Sequence, residues 1–257
     1  MSEAPWPILL LHGFACTARM WDPLLAPLGA AGLDALAFDL PGHGGCSQWK
    51  GEITFARCVE HVLARAPGRF ALCGYSLGAR VALHVALSAP QRVSGLILVS
   101  GSPGIEDGAE RRRRLEADRA LAERIEREGL ERFAQRWAEL ELFAGDPPEV
   151  RERVMEDQLR NSPAGLAGAL RGLSAGAMEP LWPRLGELRM PCAILAGERD
   201  RRYVAIGERM AAEIGGSHLQ ILAGGHRLAH ERPQAVAEHL RRFGAERCAA
   251  SAGPEPG

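Results

Sequence analysis

The sequence is poor in lysine and close to electrical neutrality. Lys50 is its only lysine, arginine supplies the other positive side chains, and the formal net charge of the 257 residues is −1. A chain with this balance has no net field that would attract nucleic acid or an anionic membrane surface. The composition therefore predicts a protein without a nucleic-acid partner.

Long apolar segments and a signal peptide are also lacking. No apolar run approaches the roughly 18 residues that a membrane-spanning helix needs. The first residues, Met-Ser-Glu-Ala-Pro, have neither the basic region nor the apolar region of a secretory signal. From these features we expect a cytoplasmic protein with no membrane insertion.

Cysteine is scarce and scattered along the chain. No two cysteines have the Cys-x-x-Cys spacing, and the histidines show no metal-ligand spacing. These absences argue against a zinc site and against a disulfide framework, and they indicate a reducing compartment. We therefore predict no metal and no cofactor. The cysteines are Cys16, Cys46, Cys58, Cys73, Cys192 and Cys248.

Apart from these absences, the composition is that of an ordinary α/β enzyme. Short apolar runs bounded by glycine and proline alternate with helical patterns, which is typical of a parallel sheet with crossover helices. The runs are apolar at successive positions, so we expect helices on both faces of the sheet. The predicted strands are 8–11, 35–39, 70–73, 93–99, 192–196 and 219–222, and the predicted helices are 22–31, 54–65, 77–88, 203–214 and 234–243.

One long stretch, residues 104–187, interrupts this alternation. It contains charged helical patterns and no predicted strand, and its acidic residues outnumber its arginines, as expected of solvated helix faces. We interpret it as an all-helical lid, called the insertion below. The predicted division is a core of 1–103 and 188–244, the insertion, and a disordered tail of 245–257 rich in alanine, serine, glycine and proline.

The strongest sequence motif is Gly-Tyr-Ser-Leu-Gly at positions 74–78. The G-x-S-x-G spacing is weak by itself, but here it follows a predicted strand and opens a predicted helix, as a nucleophile turn requires. The two glycines allow the backbone and the helix to approach closely at a strained turn. The motif therefore predicts a reactive hydroxyl at Ser76.

A serine of this kind needs a base and an orienting carboxylate, in the chain order Ser, Asp, His. Asp200 and His226 each come directly after a predicted strand, and the carboxyl ends of strands are where an open α/β sheet keeps its site. Asp200 could instead be a helix cap, with Glu198 as the rival acid. His230 is the alternative base, although it falls within a predicted helix start.

Two backbone N–H groups should complete such a site by stabilising a developing oxyanion. Leu77, the residue after the nucleophile, supplies one of them. Phe14, in the loop after the first strand, supplies the other. These two residues are the predicted oxyanion hole.

Together, these motifs resemble one branch of the α/β-hydrolase fold, the 2-succinyl-6-hydroxy-2,4-cyclohexadiene-1-carboxylate synthases of menaquinone biosynthesis. The motifs are His-Gly-Phe at 12–14, Pro-Gly-His-Gly-Gly at 41–45, Gly-Tyr-Ser-Leu-Gly-Ala-Arg-Val-Ala at 74–82 and Gly-Glu-Arg-Asp at 197–200. The likeness extends from about residue 7 to residue 243 and continues into the insertion. The resemblance implies the α/β-hydrolase fold, with a mostly parallel sheet flanked by helices.

The resemblance also implies a lyase rather than a hydrolase. Its substrate would be 2-succinyl-5-enolpyruvyl-6-hydroxy-3-cyclohexene-1-carboxylate, a small polycarboxylate that loses pyruvate after proton abstraction beside the succinyl ketone. By resemblance, Ser76 relays this proton to His226 while Asp200 orients the imidazole. The residues implied in substrate binding are Arg80, Arg114 and Arg160 for the carboxylates, with Tyr75 and Trp137 lining the pocket.

Arg80 can also be argued from its position alone. It lies four residues after Ser76 on one predicted helix, so both side chains are on the same face. A guanidinium covered by the insertion is costly without an anionic partner, and its planar fork suits a carboxylate. The substrate is one such partner, and an acidic residue of the insertion is the other.

Two further functions remain open at this stage. A carboxylesterase would share the same three catalytic residues but is expected to have an apolar residue at position 80 and an apolar lid. A ligand receptor on the same scaffold would be expected to have a disrupted triad, which the sequence does not show. The sequence leaves the oligomeric state open.

Overall fold

Six parallel strands form the sheet at the centre of the molecule. The computed structural model describes residues 6–251, with side chains as far as residue 243. The strands are β1 (Ile8–Leu11), β2 (Ala35–Ala37), β3 (Phe70–Tyr75), β4 (Val93–Val99), β5 (Cys192–Gly197) and β6 (His218–Leu222). Their order across the sheet is β2-β1-β3-β4-β5-β6, and every neighbouring pair is parallel. The predicted parallel sheet is confirmed.

Helices connect the strands, as parallel pairing requires. No helix in the described part of the chain is long and apolar enough to cross a membrane. The helices are α1 (Asp22–Ala30), α2 (Phe55–Arg65), α3 (Leu77–Ser88), α4 (Gly108–Glu128), α5 (Leu130–Ala138), α6 (Pro148–Gln158), α7 (Pro163–Leu173), α8 (Arg201–Glu213), α9 (Leu228–Glu231) and α10 (Pro233–Ser251).

The middle strands separate two hydrophobic cores, one on each face of the sheet. Successive side chains of a strand point to opposite faces. In β1, Leu9 and Leu11 pack into one core with residues of α2 and α3, whereas Ile8 and Leu10 pack into the other core with residues of α1 and α10. This two-sided burial explains why the central strands are buried at every position and almost entirely apolar, with Ser94 of β4 as a polar exception.

The expectation of two buried faces is wrong for the edge strands β2 and β6. Leu36 in β2 is 47% exposed and Ile221 in β6 is 48% exposed. A strand at the edge of a sheet has a neighbour on one side only, so its side chains gain less cover than those of the middle strands. An apolar run alone does not tell a central strand from an edge strand.

The helices α4, α5, α6 and α7 all lie between β4 and β5 in the chain, within residues 104–187. They carry a third hydrophobic cluster, which includes Ile125 of α4, Phe133 of α5 and Leu170 of α7. Ala15, from the loop after β1, belongs to the same cluster. The insertion therefore packs directly on the loop where the oxyanion hole is predicted.

The disorder predicted for residues 245–257 is wrong for the first part of that segment. Helix α10 continues from Pro233 to Ser251. Several of the added residues are alanines, which have the highest helix propensity and extend an existing helix at little cost. The remaining residues, 252–257, lie outside the described part of the chain.

Candidate active site

A sharp turn between β3 and α3 presents Ser76. Its backbone has φ 51° and ψ −105°, a conformation that costs free energy in a residue with a Cβ atom. The turn needs the glycines on both sides. A Cβ on Gly74 would lie 2.3 Å from the carbonyl oxygen of Gly78, and one on Gly78 would lie 2.2 Å from that of Leu11. The motif therefore forms the strained, close-packed turn that its spacing predicts.

Ser76, His226 and Asp200 form one hydrogen-bonded chain. Ser76 Oγ is 3.1 Å from His226 Nε2, and His226 Nδ1 is 2.6 Å from Asp200 Oδ2. His226 and Asp200 are only 3% and 6% exposed, so water does not compete for these bonds. If Nδ1 donates its proton to Asp200, the lone pair of Nε2 faces the serine hydroxyl. This hydrogen-bonded chain can take a proton from a bound molecule through Ser76 and pass a proton on to His226.

Asp200 is both a helix cap and the partner of the histidine. Its Oδ1 accepts a hydrogen bond from the backbone N–H of Tyr203 in the first turn of α8, while Oδ2 contacts His226. The cap explains why α8 begins at Arg201, two residues earlier than predicted. Glu198, the rival acid, is exposed at the surface.

His230 does not approach Ser76. Its Nε2 lies 3.7 Å from the Sγ atom of Cys16, and the residue is 4% exposed. Burial lowers the pKa of His230 to about 3, and the nearby charges of Arg227 and Arg153 act in the same direction. Burial also raises the pKa of the Cys16 thiol far above its usual range. The pair is therefore neutral near pH 7, and the geometry favours His226 as the base.

The buried neutral histidine makes stability depend on pH. In the unfolded chain the pKa of His230 returns to about 6.5, so the unfolded state binds a proton at higher pH than the folded state does. Stability should therefore fall as the pH drops from about 6.5 towards 3, by up to about 1.4 kcal/mol per pH unit for this residue. Urea unfolding between pH 7 and 4.5 measures the slope. His230→Gln should reduce the slope of unfolding free energy against pH by the contribution of about one proton. An unchanged slope would contradict the assignment of His230 as a buried neutral histidine.

A cavity of about 280 Å³ opens over Ser76 between the sheet and the insertion. Phe14 and Leu77, the predicted oxyanion-hole residues, both line it. Leu77 is the first residue of α3, and its backbone N–H is among the helix-start donors that have no acceptor within the helix. In the described part of the chain, no cluster of histidine, cysteine and carboxylate side chains could hold a metal ion.

Four of the five predicted substrate-binding residues line this cavity. They are Tyr75, Arg80, Arg114 and Trp137. Tyr75 is 4% exposed, with its ring 5.8 Å from that of His226, and burial raises its pKa well above the usual value. Trp137 packs edge-on against Phe14, at 5.4 Å between ring centroids. One wall of the cavity is therefore aromatic.

Arg160 is the exception, because the structure leaves it exposed outside the cavity. Helix α6 ends at Gln158, and Arg160 lies in the turn that follows. The residue after Arg160, Asn161, is directed towards the core. The Asn161 side chain accepts a hydrogen bond from the N–H of Gly44 and donates one to the carbonyl of Ala15. The implied role of Arg160 in carboxylate binding is not supported by its position.

Arg80 and Arg114 differ in what holds them. Arg80 donates from Nη1 to the carbonyl oxygen of Leu173 at 2.8 Å and has no ion pair with a described residue, which removes the alternative of a salt bridge to the insertion. Burial lowers the pKa of Arg80 to about 10, so it stays charged at neutral pH. Arg114 donates from Nε to Asp118 at 2.8 Å, and Asp118 also accepts from Ser174.

Arg114 is the last of four successive arginines, at positions 111–114, and from the sequence a neighbour in this run could take its place in the cavity. Arg111, the first of the run, pairs with Glu179, and the next two arginines are exposed, as Arg114 itself is. Arg114 is the member of the run that lines the cavity.

Sequence reasoning missed other residues of the cavity wall. Tyr203, three residues after Asp200, lies with its ring 4.5 Å from that of His226. Arg227 directly follows His226 and pairs with Asp146 of the insertion. Their nearness in sequence to the catalytic residues was a usable signal. No such signal marked Asp146, because only the path of the insertion brings it to Arg227.

Comparison with known sequences identifies close relatives over nearly the whole chain. A model of the alpha/beta hydrolase family matches residues 8–239. A 2-succinyl-6-hydroxy-2,4-cyclohexadiene-1-carboxylate synthase of Klebsiella pneumoniae subsp. pneumoniae is 33% identical over 237 residues, which cover 90% of this chain and 90% of the relative. The synthase of the same name from Serratia proteamaculans is 29% identical and covers 94% of both chains.

Solved structures show the same relationship. MenH from S. aureus superposes with a TM-score of 0.89 at 32% identity and covers 95% of both chains. A thermophilic esterase from Thermogutta terrifontis has a TM-score of 0.80 at 25% identity, over 94% of this chain and 90% of the esterase. The α/β-hydrolase fold is confirmed. The chain belongs to the α/β-hydrolase family and, within it, to the family of the 2-succinyl-6-hydroxy-2,4-cyclohexadiene-1-carboxylate synthases.

Proposed function

We propose that the protein is a carbon–oxygen lyase of menaquinone biosynthesis. It would convert 2-succinyl-5-enolpyruvyl-6-hydroxy-3-cyclohexene-1-carboxylate into 2-succinyl-6-hydroxy-2,4-cyclohexadiene-1-carboxylate and pyruvate. The observation that carries the proposal is a cavity that joins an intact Ser76–His226–Asp200 chain to several arginines. The names of the relatives support the same reaction.

The first step is removal of the proton on the ring carbon beside the succinyl ketone. Ser76 Oγ takes this proton as its own passes to His226 Nε2, 3.1 Å away. Asp200 keeps the imidazole in the orientation that accepts the proton and stabilises the imidazolium that forms. The ketone oxygen becomes an enolate, and the N–H groups of Phe14 and Leu77 are the proposed donors to it.

The second step is the loss of the enolpyruvyl group. The electron pair released by the proton forms a new ring double bond, the existing double bond shifts by one position, and the carbon–oxygen bond to the enolpyruvyl group breaks. The proton held by His226 returns to the leaving group, which becomes pyruvate. No other reactant is consumed, so the three side chains are restored at the end of the cycle.

The arginines of the cavity favour a substrate with several carboxylates. A substrate with three carboxylates needs cationic partners, and arginine presents a planar fork that binds a carboxylate with two hydrogen bonds. Arg80 lies one helical turn after Ser76 without an acidic partner among the described residues. An esterase of neutral substrates has no use for a desolvated cation at this place, because its burial costs free energy.

Pyruvate release tests the proposal directly. We expect the purified protein to release pyruvate rapidly from the enolpyruvyl substrate and to turn over simple p-nitrophenyl esters poorly. The physical reason is that the cationic cavity favours a polycarboxylate and leaves a neutral acyl group without partners. A coupled assay for pyruvate measures the first activity, and p-nitrophenolate absorbance measures the second.

The Ser76→Ala variant is the control, because it should abolish both activities if either uses this site. Fast ester hydrolysis without pyruvate release would favour a carboxylesterase, and one structural neighbour is an esterase. Tight binding of the substrate without turnover of either compound would favour a ligand receptor.

A further inference from the structure

Arg227 is a buried cation in the wall of the cavity whose role the proposed reaction leaves open. It directly follows His226, is 3% exposed and lines the same cavity as Ser76. Its guanidinium lies 3.7 Å above the ring of Phe143 and donates from Nη1 to Asp146 Oδ2 at 2.6 Å. A guanidinium so close to the catalytic histidine can act on what enters the cavity.

Most hydrogen-bond donors of Arg227 are unused. A guanidinium carries five N–H donors, and in the described part of the chain only Nη1 has an acceptor, on Asp146. Buried polar groups are normally hydrogen-bonded, and an unpaired one costs free energy. Because Arg227 faces a cavity, a ligand can supply the missing acceptors.

A second polar side chain in the same wall is also unsatisfied. Gln158, at the end of α6, is 1% exposed, and its Oε1 atom has no hydrogen-bond partner in the described structure. It lines the cavity together with Arg227. The Gln158 oxygen only accepts hydrogen bonds, so it fits a hydroxyl or another donor of a polar ligand, whereas the Arg227 guanidinium fits an anionic group.

The three arginines of the cavity share one feature, although Arg80 is held by a carbonyl and the other two by carboxylates. Each donates one hydrogen bond to an acceptor in the insertion and leaves other donors without an acceptor among the described residues. The pairs are Arg80 with the Leu173 carbonyl, Arg114 with Asp118 and Arg227 with Asp146. This shared arrangement fixes the position of each guanidinium before any ligand arrives, which reduces the ordering cost of binding.

We propose that Arg227 binds a carboxylate of the substrate, in the role that the resemblance implied for Arg160. The inference rests on the proposed function, since a substrate with three carboxylates needs a third cation and Arg160 lies outside the cavity. A carboxylate bound to Arg227 would lie at the histidine end of the cavity. Arg80 and Arg114 would then hold the other two carboxylates.

The alternative is that the Arg227–Asp146 pair only fastens the insertion to the core. Both side chains are almost fully buried, with 3% and 2% exposed. Removing one partner of such a pair strands the other charge and destabilises the fold, whereas replacing both by apolar residues of similar size is often tolerated. A double replacement therefore separates the two roles better than a single one does.

The test measures pyruvate release by the wild type and by the Arg227→Met/Asp146→Leu double variant. If Arg227 binds substrate, the double variant should unfold at about the wild-type temperature but have a KM at least about tenfold higher, because a charge-assisted hydrogen bond is lost. Its kcat should change much less. A double variant with wild-type KM would overturn the proposal and leave the fastening role.

Two further variants sharpen this result. Arg227→Lys keeps a charge beside Asp146 and should have an intermediate KM, since an ammonium cannot form the two-pronged contact. If the double variant does not fold, Arg227→Lys alone tests the proposal. A wild-type KM in Arg227→Lys would count against it. Arg160→Ala should leave KM within about twofold of wild type. A large increase for Arg160→Ala, with none for Arg227, would return the role to Arg160.

A binding measurement distinguishes failure of this inference from failure of the proposed function. Calorimetric titration of the enolpyruvyl substrate into Ser76→Ala protein measures affinity without turnover. Adding the double replacement to Ser76→Ala should weaken the affinity at least about tenfold. Absence of pyruvate release by the wild type would refute the function alone. Equal affinity in the two titrations would refute the role of Arg227 even if pyruvate is released.

Discussion

Replacing His226 by alanine should lower kcat for pyruvate release by at least about a thousandfold while leaving the fold intact. General-base catalysis typically contributes two to four orders of magnitude, and Ser76 has no other base within hydrogen-bond distance in the described structure. Ser76→Ala should have a similar effect. The Ser76→Ala/His226→Ala double variant should be little worse than either single variant, because the two groups act as a unit. Steady-state kinetics on the three proteins measure this.

The matched control is His230→Gln, which replaces the buried histidine four residues after His226. His230 contacts Cys16 and not Ser76, so its loss should affect stability more than kcat. A thousandfold loss in His230→Gln, with little change in His226→Ala, would show that the geometry has been assigned to the wrong base.

Asp200→Asn also tests the hydrogen-bonded chain of Ser76, His226 and Asp200, and it should not disturb helix α8. Asparagine is as good an N-cap as aspartate, so the hydrogen bond to the N–H of Tyr203 at the start of α8 should be retained. What changes is the partner of His226, since an amide no longer stabilises an imidazolium. We expect a large fall in kcat with little change in melting temperature. Glu198→Gln, at the exposed rival acid, should change neither quantity.

Much of the fold could be predicted because its signals are local. The central strands are almost entirely apolar, and β1 and β4 match their predicted bounds. The predictions failed where the structure depends on distant neighbours. The position of β2 and β6 at the sheet edges exposes Leu36 and Ile221, and no pattern within either strand records that position.

The candidate site likewise contains some residues that could be predicted from the sequence and others that could not. Ser76, Asp200 and His226 could be found because each follows a strand, and the carboxyl ends of parallel strands meet at one edge of the sheet. Which arginines line the cavity depends instead on how the four helices of the insertion pack over the site. Resemblance therefore implied Arg160, which the turn after α6 leaves exposed, and gave no indication of Arg227.

Arg80→Ala should lower kcat/KM at least about tenfold, since a charge-assisted hydrogen bond contributes about 1.5–3 kcal/mol. Arg80→Lys should recover only part of this loss, because an ammonium cannot form the fork that a carboxylate accepts. Steady-state kinetics on the enolpyruvyl substrate measure both changes. Arg80 carries the positive charge that this effect needs, since its lowered pKa of about 10 is still well above neutral pH.

Arg80→Ala should have a melting temperature equal to or above that of the wild type. Arg80 has no ion pair with a described residue, and its only hydrogen bond within them is to the carbonyl of Leu173. Burial already disfavours its charge, so removal relieves a desolvation cost and strands no carboxylate. Arg114→Ala is the contrasting case, because it would leave Asp118 without its cation. A large loss of melting temperature in Arg80→Ala, with kcat/KM unchanged, would mean that Arg80 supports α7 and does not bind substrate.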